Sequence, residues 1–167
     1  MDFLDFAKEI ETRGIEQYNL LAQTMQLREL CSVFEFMADQ ERRHYEVFDS
    51  WQRNGAAANA PEIPVETVLG RAGDAFELIS GHFIPDKFIP PINYGQAYEQ
   101  ALEFENRSIA LYEETLPRIG DGTWKSVLKL IVEQEKAHAQ FITDLMDFLR
   151  HPGEWLENAE WRHQEEY

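Results

Sequence analysis

The chain predicts an all-α fold, a four-helix bundle with a long crossover between its second and third helices. Three observations predict it. Four stretches carry apolar residues at three- and four-residue steps. A proline-rich segment separates the second stretch from the third. One polar pattern, Glu followed thirty residues later by Glu-x-x-His, occurs twice at an offset of 94 residues.

Residues ~3–25 read as helix one, with Phe3, Phe6, Ala7, Ile10, Gly14, Ile15, Tyr18 and Leu21 on one stripe. Glu11 lies on the edge of that stripe, toward the core. Residues ~29–54 read as helix two, from Leu30, Val33, Phe34 and Met37 to Phe48 and Trp51, with Gly55 as its stop. Residues 56–93 form the crossover. Ala56–Ala60 is small and flexible, and Pro61, Pro64, Pro85, Pro90 and Pro91 break regular structure. Between them Val65–Gly81 predicts one short amphipathic helix. About forty residues suffice to travel the bundle length when helices two and three run parallel. The apolar strings His82–Pro85 and Phe88–Pro90 are expected to pack on the bundle or on a partner subunit.

Residues ~94–118 read as helix three, with Ala97, Ala101, Phe104, Ser108, Leu111 and Tyr112. Gly120–Thr123 is a tight link in which Asp121 or Thr123 caps helix four. Helix four runs ~124–150, and Pro152-Gly153 ends it. This divides the chain into a bundle, 1–150, and an acidic, aromatic tail, 151–167. The tail holds Trp155, Trp161 and Tyr167, and is expected to pack on the bundle or on a neighbouring chain.

The repeated polar pattern carries the chemistry. Glu11, Glu41 and His44 recur as Glu105, Glu135 and His138, and Tyr18 recurs as Tyr112. Ile15 with Ile109, Gln40 with Gln134, Ala7 with Ala101 and Asp39 with Glu133 follow the same offset. One Glu from each of two helices and Glu-x-x-His from each of the other two is the donor set of a two-metal carboxylate site. Glu41 and His44 are one turn apart and share a face, as do Glu135 and His138. Oxygen and nitrogen donors without thiolate suit iron, manganese or zinc. Four carboxylates balance two divalent ions, and neutral imidazoles add no charge. Without metal, some of these carboxylates must protonate, because like charges raise each other's pKa. Thirty-one acidic residues make a single Glu-x-x-His unremarkable, but not eight positions at one offset.

Composition narrows the classes. The 167 residues, 44% hydrophobic, fit one domain with a sizeable core. A net charge of −16 argues against nucleic-acid and anionic-membrane partners, which recruit basic patches. The single cysteine, Cys31, forms neither an internal disulfide nor a four-thiolate iron site, and reads as buried and structural. Asp2, Asp5 and Glu9 interrupt any signal peptide, and no apolar run approaches a membrane span. The expectation is a soluble, cytoplasmic protein.

The strings Ile10–Tyr18 and Leu102–Tyr112, each with its Glu-x-x-His, resemble the rubrerythrin family of ferritin-like di-iron carboxylate proteins. The resemblance spans helices one to four. It implies Glu11, Glu41, His44, Glu105, Glu135 and His138 as ligands of two iron ions, with Glu41 and Glu135 bridging. It implies Tyr18 and Tyr112 close behind the ligands. Hydrogen peroxide or dioxygen is the implied oxidant, with a separate electron donor, and a homodimer is the implied assembly. The chain carries no Cys-rich rubredoxin sequence. Leu102 and Ser108 stand one turn either side of Glu105, where the family has a further glutamate. The leading expectation is a peroxidase or ferroxidase serving oxidative-stress defence or iron handling. The alternatives are iron binding, delivery or storage without turnover, and a structural bundle holding zinc or nothing.

Other acidic and histidine residues read as surface. Glu9, Glu16, Glu46, Glu99, Glu103 and Glu133 are expected on solvated faces, as are His82, His151 and His163.

Overall fold

The computed structural model describes residues 2–55, 58–90, 93–120 and 122–158. Most of these are helical, with no strand among them. The elements are α1 (Phe3–Thr24), α2 (Arg28–Asn54), α3 (Val68–Ser80), α4 (Tyr94–Thr115), α5 (Thr123–Arg150) and α6 (Pro152–Asn158). Single 3-10 turns at Pro85–Lys87 and Leu116–Arg118 lie before and after α4.

The helices begin and end for local reasons. Asp2 caps α1 by accepting the Leu4 N–H at 2.6 Å. Gly55 ends α2 at φ 75°, a left-handed conformation glycine reaches without strain. The crossover helix is shorter than expected: it starts at Val68, because Thr67 caps it by accepting the Gly70 N–H at 3.3 Å. Thr123 does not cap α5. It is the first helical residue, and Gly122 occupies the cap position with no side-chain bond. Asp121, the other expected cap, lies outside the described residues. α5 ends at Arg150, just before Pro152-Gly153, as expected, but the chain turns helical again at once. Proline suits the first turn of a helix, and α6 starts at Pro152.

Cross-helix contacts fix the directions. Lys8 pairs with Asp49, and Arg42 donates to Asn19, so α1 and α2 are antiparallel. Tyr18 meets Glu105 while Tyr112 meets Glu11, so α1 and α4 are antiparallel. Hence α2 and α4 run parallel, and the crossover spans the bundle length. On the way, α3 lies over α2 and α5 through Val68, Ala72, Phe76 and Ile79, all essentially buried.

The core is split in two. The larger cluster joins Tyr18, Phe34, Met37, Phe76, Phe141 and Phe148 with their neighbours. The smaller joins Ala7, Val47, Phe48, Ile63, Tyr112, Trp124 and Ile131, and Trp51 stacks on Trp124 at 4.8 Å beside it. Phe83 and Phe88 from the crossover pack on Phe148, while Ile84 and Ile89 remain exposed. Trp155 of α6 packs on Phe76 at 5.6 Å, so packing continues past residue 150. Trp161, His163 and Tyr167 lie outside the described residues. Cys31 is half-buried rather than buried, its Sγ 3.1 Å from the Met25 carbonyl oxygen, and burial pushes its thiol up.

Candidate metal centre

Between the two apolar clusters lies one polar layer. The chain brings Glu11 from α1, Glu41 and His44 from α2, Glu105 from α4, and Glu135 and His138 from α5 into it. All six are at most 2% exposed. Glu11 is thus fully inside, not at the edge of its stripe.

The layer is two overlapping sets of four. Glu11, Glu41, His44 and Glu135 form one; Glu41, Glu105, Glu135 and His138 form the other. Within each set, one atom per residue lies within 4.8 Å of all the others. Glu41 and Glu135 belong to both. His44 Nδ1 lies 3.0 Å from Glu135, 3.3 Å from Glu41 and 3.4 Å from Glu11. His138 Nδ1 lies 3.1 Å from Glu135, 3.2 Å from Glu41 and 3.6 Å from Glu105. Two carboxylates therefore stand between the imidazoles, and one stands outside each.

Buried polar atoms normally have partners. Here Glu11 Oε2, Glu41 Oε1, Glu105 Oε2, Glu135 Oε2, His44 Nδ1 and His138 Nδ1 have no hydrogen bond. Six orphaned donor atoms facing one space are what a pair of cations would satisfy, and their chemistry suits hard to borderline divalent ions. The residues present fit a two-metal group.

Without metal, the layer reaches neutrality with protons. Burial, then the charge of Glu41, pushes Glu11 well above the usual carboxylate range. Burial, then Glu135, pushes Glu105 up to about 8. Burial opposes ionisation at Glu41 too, but the close approach of Glu11, His138 and His44 outweighs it and holds Glu41 low. At Glu135, burial and the Glu41 charge are outweighed by the two histidines, so it also stays low. Burial disfavours charge on His44, yet Glu135 foremost, with Glu11 and Glu41, raises it well above its ordinary value. His138 is raised likewise, against burial, by Glu105, Glu135 and Glu41. Burial and mutual charge thus push the two histidines and the outer carboxyls Glu11 and Glu105 toward holding protons, and Glu41 and Glu135 toward losing them.

The tyrosines hold the outer carboxylates crosswise. Tyr18 on α1 donates to Glu105 Oε1 on α4, and Tyr112 on α4 donates to Glu11 Oε1 on α1. Both rings are fully buried. Burial, then the Glu11 charge, pushes the Tyr112 phenol up, so it stays a donor. Gly14 makes room for Glu41: a Cβ there would stand 3.1 Å from Glu41 Cδ. The histidines' far edges meet two glutamines, with His44 Nε2 2.7 Å from Gln134 Oε1 and His138 Nε2 2.8 Å from Gln40 Oε1. In the sequence this pair shows only as a repeat at the 94-residue offset, one residue before each Glu-x-x-His.

Glu16, Glu46, Glu99, Glu103, Glu133, His82 and His151 are exposed, as expected, and Glu9 is half-exposed. Asp39 and Glu133 are exposed and pair with Arg42 and Lys136. His82 is exposed and bonds Glu29 at 2.7 Å. No helix among the described residues is long and apolar enough to cross a membrane.

An all-helical bundle of two antiparallel pairs, joined by a long crossover and enclosing a carboxylate–histidine layer, is a ferritin-like helical bundle. A model of the family described as rubrerythrin matches residues 2–146, and the chain belongs to that family. Comparisons with curated proteins and with solved structures returned no match. The family and the buried Glu/His layer are compatible with a di-iron site.

Proposed function

We propose that this chain is a di-iron redox protein that reduces hydrogen peroxide or dioxygen, of the peroxidase or ferroxidase kind. The observation that carries it is the overlap of the two four-residue sets at Glu41 and Glu135. In this reading Glu41 and Glu135 would be shared by both metals, Glu11 and His44 would hold one, and Glu105 and His138 would hold the other. A ferrous pair bound there would supply two electrons to an oxidant.

The chain's own residues account for the rest. Four carboxylates neutralise the ions in a water-poor layer. Tyr18 and Tyr112 orient the outer carboxylates by their hydrogen bonds and leave each second oxygen free. A cleft of about 160 Å3 lies between α1 and α4, lined by Phe6, Glu9, Ile10, Arg13, Phe104, Arg107 and Ser108; neither Glu11 nor Glu105 lines it. The one cysteine of this sequence cannot build a four-thiolate relay, so in this reading electrons reach the site from outside these 167 residues.

The position of Leu102 and Ser108 favours a second reading, in which iron is bound without turnover. Ser108 bonds its own helix at the Phe104 carbonyl, 3.1 Å away, and neither residue offers a carboxylate to a moving metal. Anaerobic loading with ferrous iron, elemental analysis and peroxide consumption decide between them. About two irons per chain with saturable, iron-dependent consumption supports the redox reading. The same iron content without consumption moves the assignment to iron binding or delivery. A chain that takes up no metal under these conditions sinks both. Replacement of iron by zinc or manganese in protein purified without chelator would keep the site and overturn the iron chemistry.

A further inference from the structure

The two glutamines do more than touch the histidines. Gln134 Nε2–H donates to the Pro64 carbonyl at 3.0 Å, and Gln40 Nε2–H donates to the Glu66 carbonyl at 3.2 Å. Both carbonyls belong to the crossover, on the extended stretch before α3. That stretch is pinned at its two ends by buried Ile63 and Val68. A backbone carbonyl only accepts, so each amide must turn its nitrogen toward the crossover. The amide oxygen then faces the imidazole, and an amide oxygen also only accepts. The opposite amide orientation would set oxygen against oxygen at the crossover. Nε2 of each histidine must therefore carry hydrogen. A neutral imidazole has one N–H, so its Nδ1 presents a lone pair to the carboxylate layer.

We propose that Gln40 and Gln134 are positioning residues that fix His138 and His44 as Nδ1 metal ligands, with the crossover carbonyls of Glu66 and Pro64 fixing the glutamines in turn. The inference rests on the two-metal reading above. It makes the crossover part of the metal centre as well as a connection. It also accounts for the choice of side chain: a neutral acceptor orients the ring without adding charge to a layer already balanced. The arrangement is crossed, since Gln134 on α5 holds the α2 histidine and Gln40 on α2 holds the α5 histidine. Each metal-binding half is thus oriented by the other.

The test uses the full chain with Gln134 replaced two ways. Gln134 is only half-buried, so both variants can keep the fold, which the metal-free melting curve checks. Q134E keeps an acceptor for His44 and loses the donor to Pro64. Q134L loses both. Zinc-loaded protein, being diamagnetic, shows by long-range proton–nitrogen correlation which ring nitrogen bears hydrogen. Expected in the wild type is Nε2–H on both histidines. In Q134L, His44 loses that single form while His138 keeps it, and affinity for ferrous iron and zinc falls ten- to a hundredfold at one of the two sites, the usual range for loss of such a support. Q134E keeps the Nε2–H form on His44, because a carboxylate also only accepts, and loses less affinity than Q134L despite its added charge and lost tie to Pro64. Nδ1–H in the wild type, unchanged affinity in Q134L, or an equal loss in Q134E and Q134L overturns the proposal alone. A wild type that binds neither metal overturns it together with the two-metal reading.

Discussion

Loading the site with metal should expel about four protons per chain. The count comes from the layer itself. Metal-free, His44 and His138 are charged, Glu41 and Glu135 are ionised, and Glu11 and Glu105 hold protons, so the sum is +2 − 2 = 0. Loaded, two divalent ions face four carboxylates and two neutral imidazoles, and the sum is +4 − 4 = 0. Neutrality in both states is physically required, because an uncompensated ion in such a layer costs several kcal/mol. The four protons that leave are one from each histidine and one each from Glu11 and Glu105. At pH 7, Glu105 with a pKa of about 8 is still about nine-tenths protonated, so the count stays close to four. By linkage, the overall constant for binding the metal pair rises by about four powers of ten per pH unit near pH 7. Above pH 8 the slope shrinks as Glu105 ionises beforehand. Zinc titration calorimetry in buffers of different ionisation enthalpy measures the number directly. A release of one proton or none would refute the neutrality argument, and with it the assignment of Glu11 and Glu105 as protonated acids.

Three further outcomes follow from the same layer. Metal-free stability should be greatest near pH 5 and decline toward pH 8: Glu11, Glu105 and both histidines have raised folded pKa values, so across this range the native state holds more protons than the unfolded one, while Glu41 and Glu135 reverse the slope in acid. For Glu105 alone the loss between pH 4.5 and 7 is about 3 kcal/mol, and urea midpoints that rise across this range would contradict it. Gly14→Ala should raise metal-free stability by up to about 1 kcal/mol through helix propensity yet weaken metal binding, since the new Cβ stands 3.1 Å from Glu41 Cδ; equal metal affinity in the variant and wild type would show that Glu41 has room to move. Tyr112→Phe leaves Glu11 Oε1 without its buried donor and should lower metal-free stability by about 1–3 kcal/mol, read from denaturant unfolding at fixed m-value.

Much of this protein is legible in one dimension. Helical periodicity placed four long helices within a few residues of their bounds, because each must bury a stripe against its neighbours. The 94-residue offset singled out the residues that meet in the polar layer, because donors to a shared centre sit at equivalent heights on each helix pair. Local capping was less legible. Pro152 marks the end of one helix in the sequence, and that it also opens another is seen only in the structure, where Trp155 packs on Phe76.

What the sequence by itself determined is therefore which residues are apolar, which are ligand types, and at what interval they recur. Only the tertiary structure decided which atoms meet. The crossing of Tyr18 to Glu105 and Tyr112 to Glu11, the sharing of Glu41 and Glu135, and the tie from each histidine through a glutamine to the crossover all join residues far apart in the chain. Periodicity records the face on which a side chain lies, but not the helix that faces it. That second choice belongs to the antiparallel pairing and to the path of the crossover.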